Sequence, residues 1–168
     1  SFYQSLGIGR GDCVMMMLKR RAEFWFSIVA LHKLGAVAIP ATHLLTPKDL
    51  IYRANSAQIK MIVSADEPIM IQHVNDCLKD APSVKVLVAT GSYNKDGWHS
   101  MDEGMRNAPE FVRPAHVNDN HDISLLYFTS GSSGNPKMVA HNFLYPLGHI
   151  VTAKYWHNVN ENSLHLTV

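Results

Sequence analysis

The residues most able to do chemistry lie in one short run, Thr129-Ser130-Gly131-Ser132-Ser133-Gly134-Asn135-Pro136-Lys137. Its two glycines permit backbone angles that turn successive N–H groups inward as an anion-binding nest, while Thr129, Ser130, Ser132 and Ser133 add up to four hydroxyl donors. Lys137 supplies a positive charge, and no acidic residue in the run opposes it. Donors plus one cation suit a polyphosphate, whose oxygens only accept. Pro136 restrains the exit of the loop. The same composition would also describe a flexible linker. Context argues against that, because the apolar strand Ile123-Ser124-Leu125-Leu126-Tyr127-Phe128 runs directly into the loop, and Met138-Val139-Ala140 with a helix from Asn142 to about Trp156 follows it. The Walker pattern Gly-x-x-x-x-Gly-Lys-Ser/Thr does not occur, since Met138 follows Lys137, and no Gly-x-Gly-x-x-Gly succeeds the first strand.

Other chemistry-bearing residues read more plainly. The chain has ten histidines, but the close pair His116 and His121 has no cysteine at ligand spacing. His141, His149 and His157 recur every eight residues, too far apart for joint coordination. His141 could touch a ligand bound at the loop, although packing at a helix start explains it more simply. Trp25 reads as core or subunit-facing surface. Lys19-Arg20-Arg21 reads as a solvated edge, and Arg10-Gly11-Asp12 as a turn into a strand.

The elements that position the loop follow from periodicity. Phe2, Leu6 and Ile8 resemble the tail of a helix. The unalternating run Cys13 to Leu18 has the character of a strand buried on both faces, its methionines belonging to the core. A helix is expected from Arg21 to Leu34 with Gly35 as its C-terminal cap, then a strand Ala36 to Ile39 stopped by Pro40. Thr46 can cap a helix from Pro47 to about Ser56, with Pro47 at N1 and Asp49 at N3. A strand Met61 to Ser64, a helix from about Glu67 to Lys79 and a strand Val84 to Val88 complete a βαβαβ unit over 13–89. This predicts an α/β fold with a mainly parallel sheet, helices on both faces, right-handed crossovers, and ligands at the carboxyl ends of the strands. Residues 90–122 read as an irregular connection holding at most one short helix, near Met101 to Asn107. The strand, loop and helix described above fill 123–168.

Composition bounds the remainder. With 15 Lys plus Arg against 14 Asp plus Glu in 168 residues, the formal charge is +1, which excludes a charge-driven nucleic-acid binder. Hydrophobic residues make up 46% and charged residues 17%, suiting one packed domain rather than a disordered chain. No run reaches the roughly 20 apolar residues that span a bilayer. Two cysteines, Cys13 and Cys77, form no disulfide framework, and a reducing cytoplasm is the expected compartment. Both ends are abrupt: Ser163 to Val168 alternates like a strand just starting, so the chain reads as an excised piece of a larger domain.

The run Tyr127 to Lys137 resembles the phosphate-binding signature of the adenylate-forming superfamily. Upstream, Glu23-Phe24-Trp25, Leu34-Gly35-Ala36, Ile39-Pro40-Ala41-Thr42 and Asp49-Leu50-Ile51-Tyr52-Arg53 are similar to the medium-chain acyl-CoA and acetyl-CoA synthetase branch. This resemblance implies that residues 1–168 are an incomplete N-terminal, AMP-binding domain, the small C-terminal domain being absent. It implies a ligase that converts a carboxylic acid and ATP, with magnesium (Mg2+), to an acyl-adenylate and passes the acyl group to coenzyme A. Thr129, Ser130, Gly131, Ser132, Ser133, Gly134 and Lys137 would then hold the ATP phosphates, and no catalytic residue or metal ligand lies within the chain. The pair Ser132-Ser133 stands where threonine is common, keeping the hydroxyls but losing the methyl that stiffens the rotamer. On its own the chain is expected to be inactive. Two further readings remain open: a nucleotide- or phosphate-binding α/β module without chemistry, and a structural fragment that associates with itself, making a homo-oligomer.

Overall fold

The computed structural model describes residues 2–115, 118–130 and 134–164. A short helix α1 (Phe2–Ser5) precedes β1 (Cys13–Met17), α2 (Ala22–Leu34), β2 (Val37–Pro40), α3 (Pro47–Ala57), β3 (Met61–Ser64), α4 (Pro68–Cys77) and β4 (Val86–Ala89). Then come β5 (Trp98–Ser100), α5 (Met101–Arg106), β6 (Ile123–Thr129), β7 (Lys137–Asn142) and α6 (Tyr145–Tyr155). The seven strands form one sheet in the order β5-β4-β3-β1-β2-β6-β7. Every neighbouring pair is parallel except β6 and β7.

The central strands are sandwiched between helices, which is why they read as apolar runs. Met15 and Met17 join Leu50 and Ala54 of α3 and Met70 and Val74 of α4 in the core on one face. Val14 and Met16 join Leu31 and Leu34 of α2 and Met101 of α5 on the other. The methionine run of β1 is therefore core on both sides, each Met at most 1% exposed.

Local sequence sets the helix boundaries. Helix α2 ends in a Schellman arrangement: Gly35 adopts φ 72°, its N–H donates to the His32 carbonyl, and the Ala36 N–H donates to that of Leu31. Helix α3 begins with a capping box, in which Thr46 Oγ1 accepts from the Asp49 N–H (3.3 Å) and the Thr46 N–H donates to Asp49 Oδ2 (3.1 Å). The fourth helix stops at Cys77 and tightens into a 3₁₀ turn over Leu78–Asp80.

Two strands depart from the sequence-based expectation. Residues 98–100, inside the stretch read as irregular, pair in parallel with β4, burying Trp98 and Ser100 and exposing His99. Three residues are too few to carry a legible alternation. Beyond the loop, Lys137–Asn142 is an edge strand, and the helix expected from Asn142 starts at Tyr145. Asn142 Oδ1 accepts from the Leu144 N–H (3.1 Å), a side-chain turn that separates strand from helix. Trp25 is not core, being 66% exposed on the outer face of α2. The alternation expected at the C-terminus falls mostly on 165–168, outside the described residues, as does His116.

Candidate phosphate-binding loop

The loop joins β6 to β7, two strands paired antiparallel from Ile123↔Asn142 to Thr129↔Lys137. Because β6 is parallel to β2, the hairpin carries the loop off the carboxyl edge of the sheet, where α/β folds collect ligands. Of the residues assigned to it from sequence, Gly131, Ser132 and Ser133 lie outside the described residues. Thr129, Ser130, Gly134 and Lys137 are all exposed at this edge. Gly134 has φ 114°, a conformation that excludes other residues without strain. Among the described residues no carboxylate pairs with Lys137, so its charge is free to meet an anion.

Both roots of the hairpin loop rest on α3. The Tyr52 hydroxyl donates to the Pro136 carbonyl (2.9 Å), and the Tyr52 ring meets Phe128 edge-on at 6.3 Å between centroids. The Arg53 guanidinium lies over the Phe128 ring at 5.3 Å and donates to the Asp49 carbonyl (3.2 Å). In the sequence, Tyr52 and Arg53 stand out only as part of a family likeness. Nothing in their spacing signals that they reach a loop 84 positions away in the Tyr52 case.

The histidine beyond the loop packs rather than points outward. His141 meets Tyr127 at 5.8 Å and stacks on Tyr145 at 3.9 Å, and Tyr145 in turn meets His149 edge-on at 4.6 Å. Burial, and then the neighbouring Tyr145, push the Tyr127 hydroxyl above its ordinary pKa, so Tyr127 stays neutral and packs. Among the described residues there is no group of three or more His, Cys, Asp or Glu placed to hold a metal ion. Both cysteines are free, and burial raises the Cys77 thiol to about 11. No helix among the described residues is long and apolar enough to cross a membrane.

A mostly parallel seven-stranded α/β sheet with a polar glycine loop at its carboxyl edge matches the N-terminal domain of an adenylate-forming enzyme. Residues 1–166 match the family model described as AMP-binding enzyme, and the chain belongs to that family. It is similar to the acyl-coenzyme A synthetase ACSM4, mitochondrial, of Mus musculus, with 30% identity over 159 residues covering 94% of this chain and 27% of that protein. The corresponding ACSM5 of Rattus norvegicus is 35% identical over 152 residues, 88% of this chain and 25% of that protein. Among solved structures, the anthranilate CoA ligase AuaEII in complex with anthranoyl-AMP superimposes with a TM-score of 0.80 and 26% identity, covering 92% of this chain and 29% of that one. The chain thus spans about a quarter of the length of the curated relatives it matches.

Proposed function

We propose that this chain supplies the ATP-phosphate-holding part of an AMP-forming acyl-CoA synthetase, a ligase that joins a carboxylic acid to coenzyme A through an acyl-adenylate. The observation that carries this reading is the hairpin loop, with exposed hydroxyls and a Lys137 that no carboxylate pairs among the described residues, at the sheet's carboxyl edge. In the first half-reaction the acid's carboxylate attacks the α-phosphorus of ATP, the bond to the bridging oxygen breaks, and pyrophosphate leaves with the electron pair. Negative charge gathers on the departing phosphates. Thr129, Ser130, Gly131, Ser132, Ser133, Gly134 and Lys137 are proposed to bind that charge, catalysis resting on positioning and electrostatics rather than on a protein nucleophile. In the second half-reaction the thiol of coenzyme A displaces AMP from the acyl carbon. Magnesium would enter with the nucleotide. The loop's donors match phosphate oxygens and include no carboxylate for the ion, so none of these residues is assigned to it.

The relatives' names place those proteins in mitochondria. Two reduced cysteines suit any reducing compartment, and the relatives weigh against the cytoplasm expected from the cysteines alone. The 168 residues by themselves are proposed to be inactive, because they correspond to about a quarter of the acyl-coenzyme A synthetases they resemble. A second reading, self-association of the isolated chain, is favoured by α6, which buries no residue and exposes Leu147, Ile150, Val151 and Tyr155.

The test is ATP–pyrophosphate exchange by the full-length protein with acetate, butyrate and octanoate. Lys137→Ala should reduce exchange by a factor of at least about ten, as expected for losing a charge-assisted contact to phosphate. Undiminished exchange in that variant would remove the loop from the mechanism. AMP formation by the isolated chain would refute its proposed inactivity.

A further inference from the structure

We infer that Tyr52 is a positioning residue for the phosphate loop, acting through Pro136 and Phe128 rather than by touching nucleotide. The inference rests on the reading that this loop holds ATP.

One side chain on α3 engages both roots of the hairpin loop. Its hydroxyl holds the Pro136 carbonyl immediately before Lys137, and its ring packs against Phe128 immediately before Thr129. The peptide unit between Pro136 and Lys137 is planar and rigid, so anchoring its oxygen also orients the Lys137 N–H and fixes where the Lys137 Cα sits. Proline has no N–H and a nearly fixed φ, which leaves ψ of Pro136 as the principal freedom at this root, and that is what the Tyr52 hydrogen bond restrains. The ladder ends at the register pair Thr129↔Lys137, so Pro136 lies one residue beyond it and is not restrained by strand pairing, and there the Thr129 Oγ1 contact to the Lys137 carbonyl is long, at 3.5 Å. Strand β7 is also an edge strand whose residues 137–140 are exposed, so packing does not hold Lys137 in place. Tyr52 itself is well anchored, on the second turn of a capped helix that buries Leu50 and Ala54. Arg53 restrains Phe128 from a second direction, over its ring face.

The experiment compares wild type, Tyr52→Phe, Tyr52→Leu and Lys137→Ala in the full-length protein, reading ATP affinity by titration calorimetry and the KM values for ATP and acid by pyrophosphate exchange. Tyr52→Phe keeps the ring contact and removes one hydrogen bond. It should weaken ATP binding and raise the ATP KM roughly threefold to tenfold, the range one hydrogen bond commands, with the acid KM unchanged. Tyr52→Leu should weaken ATP binding further. Wild-type ATP affinity in Tyr52→Phe, alongside weakened affinity in Lys137→Ala, would overturn the positioning role and leave the loop's function standing. Equal rises in both KM values with a lowered thermal midpoint would overturn it too, marking Tyr52 as merely structural. If Lys137→Ala also bound ATP normally, the reading of the loop itself would fall.

Discussion

Replacing Gly35 by alanine tests how α2 is joined to β2 and to the segment that leads into β6. Gly35 sits at φ 72°, in the left-handed region, where a Cβ brings about 1 kcal/mol or more of strain. A Cβ built there would also crowd the Arg10 side chain at 3.1 Å and overlap Asn118 Oδ1. Arg10 is half-exposed, and its Cβ and Cγ can give by a few tenths of an ångström while its guanidinium stays paired with Asp122 at 2.6 Å. Asn118 cannot move freely, because its Nδ2 donates to the His32 carbonyl at 2.7 Å, and displacing it forfeits a hydrogen bond worth about 1 kcal/mol. The His32 carbonyl keeps its bond from the Gly35 N–H, so it is not left bare. The expected destabilisation is therefore about 2 to 3 kcal/mol, read as a lowered urea midpoint at constant m-value. A double-mutant cycle separates the two contributions. With Asn118→Ala already in place, Gly35→Ala should lose only the backbone strain, giving a coupling of about 1 kcal/mol between the positions. Strict additivity, or a Gly35→Ala loss well under about 1 kcal/mol, would refute this account of the helix end.

Two further outcomes follow from named groups. His32 Nε2 is buried without a hydrogen-bond partner among the described residues, and burial, partly opposed by a hydrogen bond to the Ser124 main chain, holds the ring's pKa below the usual 6.5. The unfolded chain therefore binds the proton more readily, so stability is full above pH 6.5 and declines as pH falls from there toward the folded-state pKa. Urea midpoints of wild type and His32→Gln measured between about pH 7 and about pH 5 should converge on acidification, and a constant difference would contradict the reading. Thr46→Ala removes the capping box of α3 and should destabilise the chain by about 1 kcal/mol. Asp49, held below the ordinary carboxylate pKa first by the Thr46 hydroxyl and next by the Thr46 N–H, should then titrate closer to 3.8 by NMR, and no change there would discount the bond.

What could be read from sequence had a short-range physical cause. The α3 cap needed only Thr46, Pro47 and Asp49 in a row, and Gly35 marked the end of α2 because few other residues adopt its backbone angles. Strands β1 and β3 were legible because burial on both faces demands unbroken apolar runs. What escaped depends on partners far along the chain. Strand β5 is strand by virtue of Leu87, Val88 and Ala89 beside it. Strand β7 is one because β6 offers it an edge, its own apolar residues being as fit for the start of a helix. At the candidate site, the glycines, hydroxyls and Lys137 are visible in a single run, whereas the Tyr52 contact to Pro136 exists only once α3 packs against the hairpin.

Topology explains why the loop stands where it does. In the order β3-β1-β2 the chain moves one way from β1 to β2 and returns to the other side for β3, so the usual ligand crevice would open between the carboxyl ends of β1 and β3. Here most of the charged side chains at that position satisfy one another. Lys19 pairs with Glu67 at 2.6 Å and Arg21 with Asp66 at 3.1 Å, while Thr90 Oγ1 accepts from Arg21 (2.9 Å) and donates to Asp66 (2.8 Å). Burial pushes the Asp66 carboxyl up, but its hydrogen bonds from Thr90 and Arg21 outweigh that and hold it below the ordinary range. These are partly exposed pairs, each worth no more than about 1 kcal/mol, so they matter less for stability than for charge. Lys19 and Arg21 of this crevice are already compensated, and an incoming polyphosphate would have to displace carboxylates to use them. At the end of β6 no such competition exists among the described residues, and the hydroxyls of Thr129 and Ser130 stand exposed beside an unpaired Lys137. Two places on one carboxyl edge are therefore available by topology: the crevice keeps one cation, Arg20, without an ion pair among the described residues, whereas the hairpin sets Lys137 beside exposed hydroxyls and a glycine at positive φ.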